Sequence, residues 1–126
     1  MLVLDSSGIS RLAERSPRAV ALLGALRSKG LWPPIVPSPV LIEALQANSA
    51  KDANTNRLLK ACDVVEEIPR ALARRAAELR TLARRGSAID ALLVAAAEPG
   101  GSVLTADTTD LRAIASHAHD VVVESA

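Results

Sequence analysis

The chain has 126 residues, 49% of them apolar and mostly Ala and Leu, so it is long enough for one domain with a real core. Lys and Arg number 15 against 14 Asp and Glu, and the net charge of +1 carries no global signature of nucleic-acid binding. With no Phe, no Tyr, one Trp (Trp32) and one Cys (Cys62), a base-stacking platform of the RRM or OB type, a disulfide framework and a Cys-rich zinc site are excluded.

Leu2-Val3-Leu4 reads as a short strand buried on both faces. It ends at Asp5, and Ser6, Ser7 and Gly8 allow a tight turn, with a serine as N-cap, into a short helix over Ile9–Glu14. Ser16-Pro17 starts a second helix, whose Ala19, Leu22, Leu23 and Leu26 recur at helical spacing until Lys29-Gly30. Residues 31–37 are proline-interrupted, which limits any strand there to a short one. Ser38-Pro39 opens a helix expected over Val40–Ala47, and another is expected over Asp52–Cys62. Val64–Ile68 fits a short strand. Pro69 opens a long helix to Arg85, closed by Gly86. Ser87 caps a helix from Ala88 to about Glu98 that is apolar nearly all round, the pattern of a buried helix. Pro99-Gly100-Gly101 breaks it. Ser102–Thr105 is a strand, Thr108 or Thr109 to Ser116 a helix, and Val121–Val123 a last strand.

Helices alternating with short apolar strands predict an α/β domain with a mostly parallel sheet, a single unit over residues 1–126. No leader is expected, because the N-terminus meets Asp5 at once. The longest uncharged stretch, Gly30–Ile42, is 13 residues with four prolines and cannot span a bilayer. A soluble, cytoplasmic protein is therefore expected.

In open α/β sheets, ligands bind beyond the carboxyl ends of the strands. The six glycines form neither a dinucleotide-binding nor a P-loop pattern, and there is no G-x-S-x-G elbow. The strand ends carry acids instead. Asp5 follows the first strand, Asp107 and Asp110 follow Ser102–Thr105, and Glu43 follows the proline-rich segment. Asp90 lies in the first turn of the apolar helix, where an isolated carboxylate is costly unless paired or bound to a metal. Carboxylates converging on one cleft repel one another, and a divalent cation relieves that repulsion. All-oxygen ligation favours Mg²⁺ or Mn²⁺. Each acid also has a structural reading: Asp5 or Asp107 as a turn or cap residue, Asp90 as a partner of the helix dipole, Glu43 as a solvated residue, Asp110 as a cap or a partner of Arg112.

At these residues the chain resembles the PIN-domain nucleases, in particular the VapC-type ribonuclease toxins of bacterial toxin–antitoxin pairs. Four stretches carry the likeness: VLDSSGISRL (3–12), VPSPVLIEAL (36–45), SAIDALLVAAA (87–97) and SVLTADTTDLRAIA (102–115). The resemblance implies a three-layer α/β/α sandwich. It implies Asp5, Glu43 and Asp90 as core metal-binding acids, Asp107 as a fourth, and Asp110 as a nearby acid outside the inner set. It also implies Mg²⁺-dependent cleavage of RNA, with Mn²⁺ able to substitute, and a partner antitoxin.

Ser6, Ser7 and Thr105 are candidates for contacting substrate or a metal-bound water, or else are turn and cap hydroxyls. Arg11 and Arg15 follow the first acid and can approach a substrate. Arg70, Arg74, Arg75, Arg80, Arg84 and Arg85 are spread round one helix, either as a solvated face or as phosphate contacts. The apolar faces of helices 9–26 and 40–59 fit core, a homodimer or an antitoxin segment. His117 and His119, two apart, do not form a helical metal pair. Two rivals follow: a PIN-like scaffold that binds RNA or protein without cutting, and a receiver-like phosphoacceptor. The second is disfavoured, because Leu4 precedes Asp5 and the only lysines are Lys29, Lys51 and Lys60. With five acids assigned to bound cations, the net charge of the rest rises from +1 to +6, and 12 of its 15 basic residues are Arg.

Overall fold

The computed structural model describes all 126 residues. Five short strands form one sheet: β1 (Leu2–Leu4), β2 (Ile35–Pro37), β3 (Asp63–Val65), β4 (Ser102–Thr105) and β5 (Val122–Ser125). Every pairing is parallel and the order is β3-β2-β1-β4-β5. The central β1 is wholly apolar because both its faces are covered. The helices are α1 (Ser6–Ala13), α2 (Pro17–Ser28), α3 (Leu41–Ala44), α4 (Ala53–Leu59), α5 (Arg70–Ala83), α6 (Ala88–Ala97) and α7 (Thr109–Ala115). The crossovers place α1–α4 on one face and α5–α7 on the other, and each set packs within itself. This is the predicted α/β/α sandwich. Its core joins β1 and β4 to Ile9 and Leu12 of α1, Leu79 of α5, Leu93 and Val94 of α6, and Leu111 and Ile114 of α7.

Several boundaries differ from expectation, each for a local reason. The first helix begins at Ser6, not Ile9, because Asp5 rather than a serine is its N-cap: the carboxylate accepts from Gly8 N at 2.6 Å. The helix expected over Val40–Ala47 is a 3₁₀ turn (Ser38–Val40) followed by the four residues of α3. The next amide along, Gln46 N, is taken by the Asp52 carboxylate at 3.0 Å, which diverts it from the helical ladder. The long basic helix stops at Ala83, two residues early, because Arg84 turns left-handed at φ 56°. β3 starts at Asp63 and β5 runs to Ser125, each shifted from the apolar run that suggested it.

At the amino-terminal edge of the sheet, Arg75 of α5 grips Glu98 with two bonds of 2.8 Å, and Glu98 also accepts from His119 N at 2.7 Å. This carboxylate ties α5, the end of α6 and the approach to β5 together. The Arg75 guanidinium holds its pKa down at about 2. Cys62 donates to Leu58 O, and burial pushes its thiol up to about 11, as suits a small packing residue. No helix is long and apolar enough to cross a membrane.

Candidate functional site

The strand order reverses at β1. The chain runs outward from β1 to β2 and β3, then returns to place β4 and β5 on the other side. The crevice beyond the carboxyl ends of β1 and β4 is therefore the topological switch point, where such sheets bind ligands. All five predicted acids lie on this edge. Asp5 ends β1, Glu43 follows β2 on α3, and Asp107 and Asp110 follow β4. Asp90 is there because α6 runs back toward the start of β4 and so begins at the strands' carboxyl ends.

Asp5 is the best-held of them. Its Oδ1 accepts from Ser7 Oγ at 2.9 Å and from Gly8 N at 2.6 Å, and its Oδ2 accepts from Thr105 Oγ1 at 2.5 Å. Thr105 is fully buried at the end of β4, and its hydroxyl also accepts from Asp107 N at 3.0 Å. Ser7 Oγ accepts from Ala106 N at 2.8 Å. Ser7 and Thr105 thus stitch the end of β1 to the turn after β4 and aim the Asp5 carboxylate. Both were candidates for touching a ligand; here their hydroxyls are spent on positioning Asp5. Ser6 lies beside them with its side chain on the outer wall of α1.

Gly8 makes this close approach possible. A Cβ there would collide with the Leu104 carbonyl oxygen and stand 3.2 Å from Asp5 Oδ1. Glycine lets the first turn of α1 sit directly on β4.

The other acids are held less tightly. Asp90 forms a capping box with Ser87: its Oδ2 accepts from Ser87 N and its own amide donates to Ser87 Oγ, both at 3.0 Å. Its Oδ1 has no partner. Asp107 Oδ1 accepts weakly from Thr109 N at 3.3 Å, and Glu43 is exposed with no hydrogen bond. Asp110 pairs with Arg85 at 2.8 Å, not with Arg112. Arg11 pairs loosely with Glu14, at 4.0 Å.

The charge pattern bears on a metal. Asp5, Glu43, Asp90 and Asp107 form no ion pair, whereas Asp110 is neutralised by Arg85. Uncompensated carboxylates along one edge of the sheet provide the charge and the oxygen donors that Mg²⁺ or Mn²⁺ takes. The side chains do not close into a cage: no group of three or more Asp, Glu, His or Cys residues is gathered to hold an ion.

One residue that the pattern of the sequence concealed is Asp52, the only buried charged residue, at 4% exposure. It stands at the start of α4 and holds the loop that follows Glu43. Its signal in the sequence was that of any acid at a helix start.

The PIN domain family model matches residues 2–116 of the chain. No curated protein is significantly similar to it. Solved structures that share the fold include the following two. The crystal structure of FitAcB from Neisseria gonorrhoeae is 23% identical with a TM-score of 0.63, over 98% of this chain and 96% of that one. The structure of FitAB bound to an IR36 DNA fragment is 22% identical with a TM-score of 0.64, over 98% and 93%. PIN domains are in general nucleases that work with divalent metal ions. The acids at the switch point, the parallel sheet and the match over nearly the whole chain lead to one conclusion: the chain belongs to the PIN domain family.

Proposed function

We propose that this chain, as one PIN domain over residues 1–126, is a Mg²⁺-dependent endoribonuclease of the VapC type, the toxin of a type II toxin–antitoxin pair. The observation that carries this reading is Asp5 at the switch point, clamped by Ser7, Gly8 and Thr105 and left without a counter-cation. Asp5, Asp90, Glu43 and Asp107 are the residues that would hold the ion. When bound there, Mg²⁺, or Mn²⁺ in its place, supplies Lewis-acid polarisation of the scissile phosphate and activation of a water. Ser7 and Thr105 hold Asp5 in one orientation. One of the four carboxylates accepts the proton released by the attacking water. Asp110, paired with Arg85, would act from outside this inner set.

An antitoxin segment fits the groove between α1, α2 and α4, a space of about 370 Å³ lined by Leu12, Val20, Leu23, Trp32 and Leu58 and rimmed by Arg15, Arg27 and Arg57. Val20 is 64% exposed and Arg27 stacks on Trp32 at 5.2 Å.

RNA cleavage in Mg²⁺ or Mn²⁺ tests the enzyme. Asp5→Ala and Asp90→Asn should abolish it while the thermal unfolding curve stays cooperative, and EDTA should stop the wild type. If both variants cleave as fast as wild type, the assignment is lost. The open arrangement of the acids favours, as a second reading, a PIN-like module that binds RNA without cutting, and the same assay separates the two.

A further inference from the structure

The loop between Glu43 and α4 is built more firmly than a connection requires. Asp52 spends both carboxylate oxygens on it, accepting from Gln46 N at 3.0 and 3.1 Å and from Asn48 N at 3.2 Å. Asn48 Oδ1 in turn accepts from Ala50 N at 3.1 Å and Lys51 N at 3.0 Å. Ala47 is held at φ 56°, a left-handed conformation that a Cβ disfavours. A buried carboxylate without a basic partner and a strained alanine both oppose folding. The loop's own side chains, Gln46 to Lys51, all face solvent, so packing is not what this ordering secures.

What it secures is one wall of a cleft of about 220 Å³. α1 supplies the facing wall with Ser6 and Ser10, and the loop and α4 supply Gln46, Lys51, Asn54 and Thr55. Two of its lining residues are chain neighbours of the acids, which do not line it themselves: Ser6 follows Asp5, and Ala44 follows Glu43. Its polar lining is one ammonium, two carboxamides and three hydroxyls, beside Ile9, Ala13 and Ala44; Asn54 Oδ1 already accepts from Arg57 at 3.2 Å, which leaves its amide group to donate, and Glu14 at the end turns toward Arg11. A carboxamide offers both a donor and an acceptor, which matches the edge of a base, and an ammonium matches a phosphate oxygen. A protein segment would want apolar pockets here, and the cleft has little apolar surface. The only aromatic, Trp32, lies in the other groove, so stacking contributes nothing to recognition at this site.

Resting on the nuclease reading above, we propose that this cleft is the subsite for the RNA nucleotide next to the scissile phosphate. Gln46 and Asn54 read its base edge, Lys51 binds its phosphate, and Asp52 keeps the loop in place. The subsite therefore sets which sequence is cut.

The test uses the full chain and a fluorescent pool of oligoribonucleotides with a randomised central segment. Cut ends are sequenced in Mn²⁺, and binding to Asp5→Asn protein is followed by anisotropy in EDTA. Wild type should show a base preference beside the cut. Gln46→Ala and Asn54→Ala should each weaken that preference about tenfold, the scale of one bidentate base contact. Lys51→Ala should weaken binding several-fold for all sequences alike and raise KM more than it lowers kcat. Arg18→Ala, remote from the cleft, should change neither. A wild-type preference that survives all three cleft variants, or a wild type with no preference beside the cut, overturns the subsite and leaves the nuclease standing. Unchanged RNA behaviour with weakened binding of a co-expressed antitoxin reassigns the cleft as a protein surface and also overturns it. A wild type that cuts nothing in Mg²⁺ or Mn²⁺ removes the nuclease reading and the subsite together.

Discussion

Replacing Thr105 with Val removes one hydroxyl from a fully buried position and leaves the shape of the side chain almost unchanged. The lost hydroxyl donates to Asp5 Oδ2 at 2.5 Å and accepts from Asp107 N at 3.0 Å. A hydrogen bond to a charged group contributes about 1.5–3 kcal/mol. Water replaces part of it, because Asp5 is only half-buried, and the added methyl returns up to about 0.8 kcal/mol of apolar burial. The expected net loss is on the order of 1–2 kcal/mol, a drop of several degrees in Tm. The effect on cleavage should be larger in proportion, about 10–100-fold in kcat, because Asp5 keeps only its Oδ1 bonds and swings. Thr105→Ser restores the hydroxyl and should restore most of the rate while remaining somewhat less stable than wild type. Urea unfolding and RNA cleavage measured on the same three proteins decide the matter. A valine variant as stable and as active as wild type would refute the positioning role, as would a serine variant no better than valine.

Other outcomes follow from the rest of the molecule. Glu98 sits at about 2, below its ordinary 4.5, so its stabilising contribution is complete above about pH 4.5 and disappears as the pH falls toward 2. Glu98→Gln should cost about 2 kcal/mol at neutral pH and flatten the stability profile between pH 5 and 2; an unchanged acid limb in denaturant titrations counts against the Arg75 clamp. Gly8→Ala places a Cβ against the Leu104 carbonyl and should cost at least 1–3 kcal/mol and most of the activity, about the range for overpacking. A stable, active Gly8→Ala protein in a melting and cleavage assay would show that α1 need not sit so close to β4. Asp52→Asn should loosen the loop after Glu43, with faster amide exchange at Gln46 and Asn48 but not in β1 or β4; unaltered exchange would deny Asp52 its role.

The alternation of apolar strands and capped helices was enough to foresee an α/β domain with a mostly parallel sheet and to place every acid at a strand end or helix start, and the family resemblance added the three-layer sandwich. The apolar run of β1 fits that sheet, because both its faces are covered. What stayed hidden depended on contacts between distant residues. Asp5 as a helix cap requires Gly8 N to turn back onto it, and the bond from Thr105 joins residues 100 apart in the chain. The shortness of α3 is caused by Asp52, which intercepts an amide six residues upstream. No local pattern signals that theft. The pairing of Asp110 with Arg85 rather than Arg112 likewise depends on α5 ending early, at a left-handed Arg84 that propensity does not favour. The polar cleft beside α1 was illegible because its two walls, Ser6–Ser10 and Gln46–Thr55, meet only in three dimensions.

The proposed function requires the acids at the carboxyl ends of β1 and β4 to hold a divalent ion. Diffraction from crystals soaked in Mn²⁺, with data at the manganese edge, tests it most directly. An anomalous peak is expected within about 2.0–2.6 Å of carboxylate oxygens of both Asp5 and Asp90, absent from the Asp5→Asn protein. A fully soaked crystal with no peak there, or with manganese bound only at acids elsewhere on the surface, would contradict it.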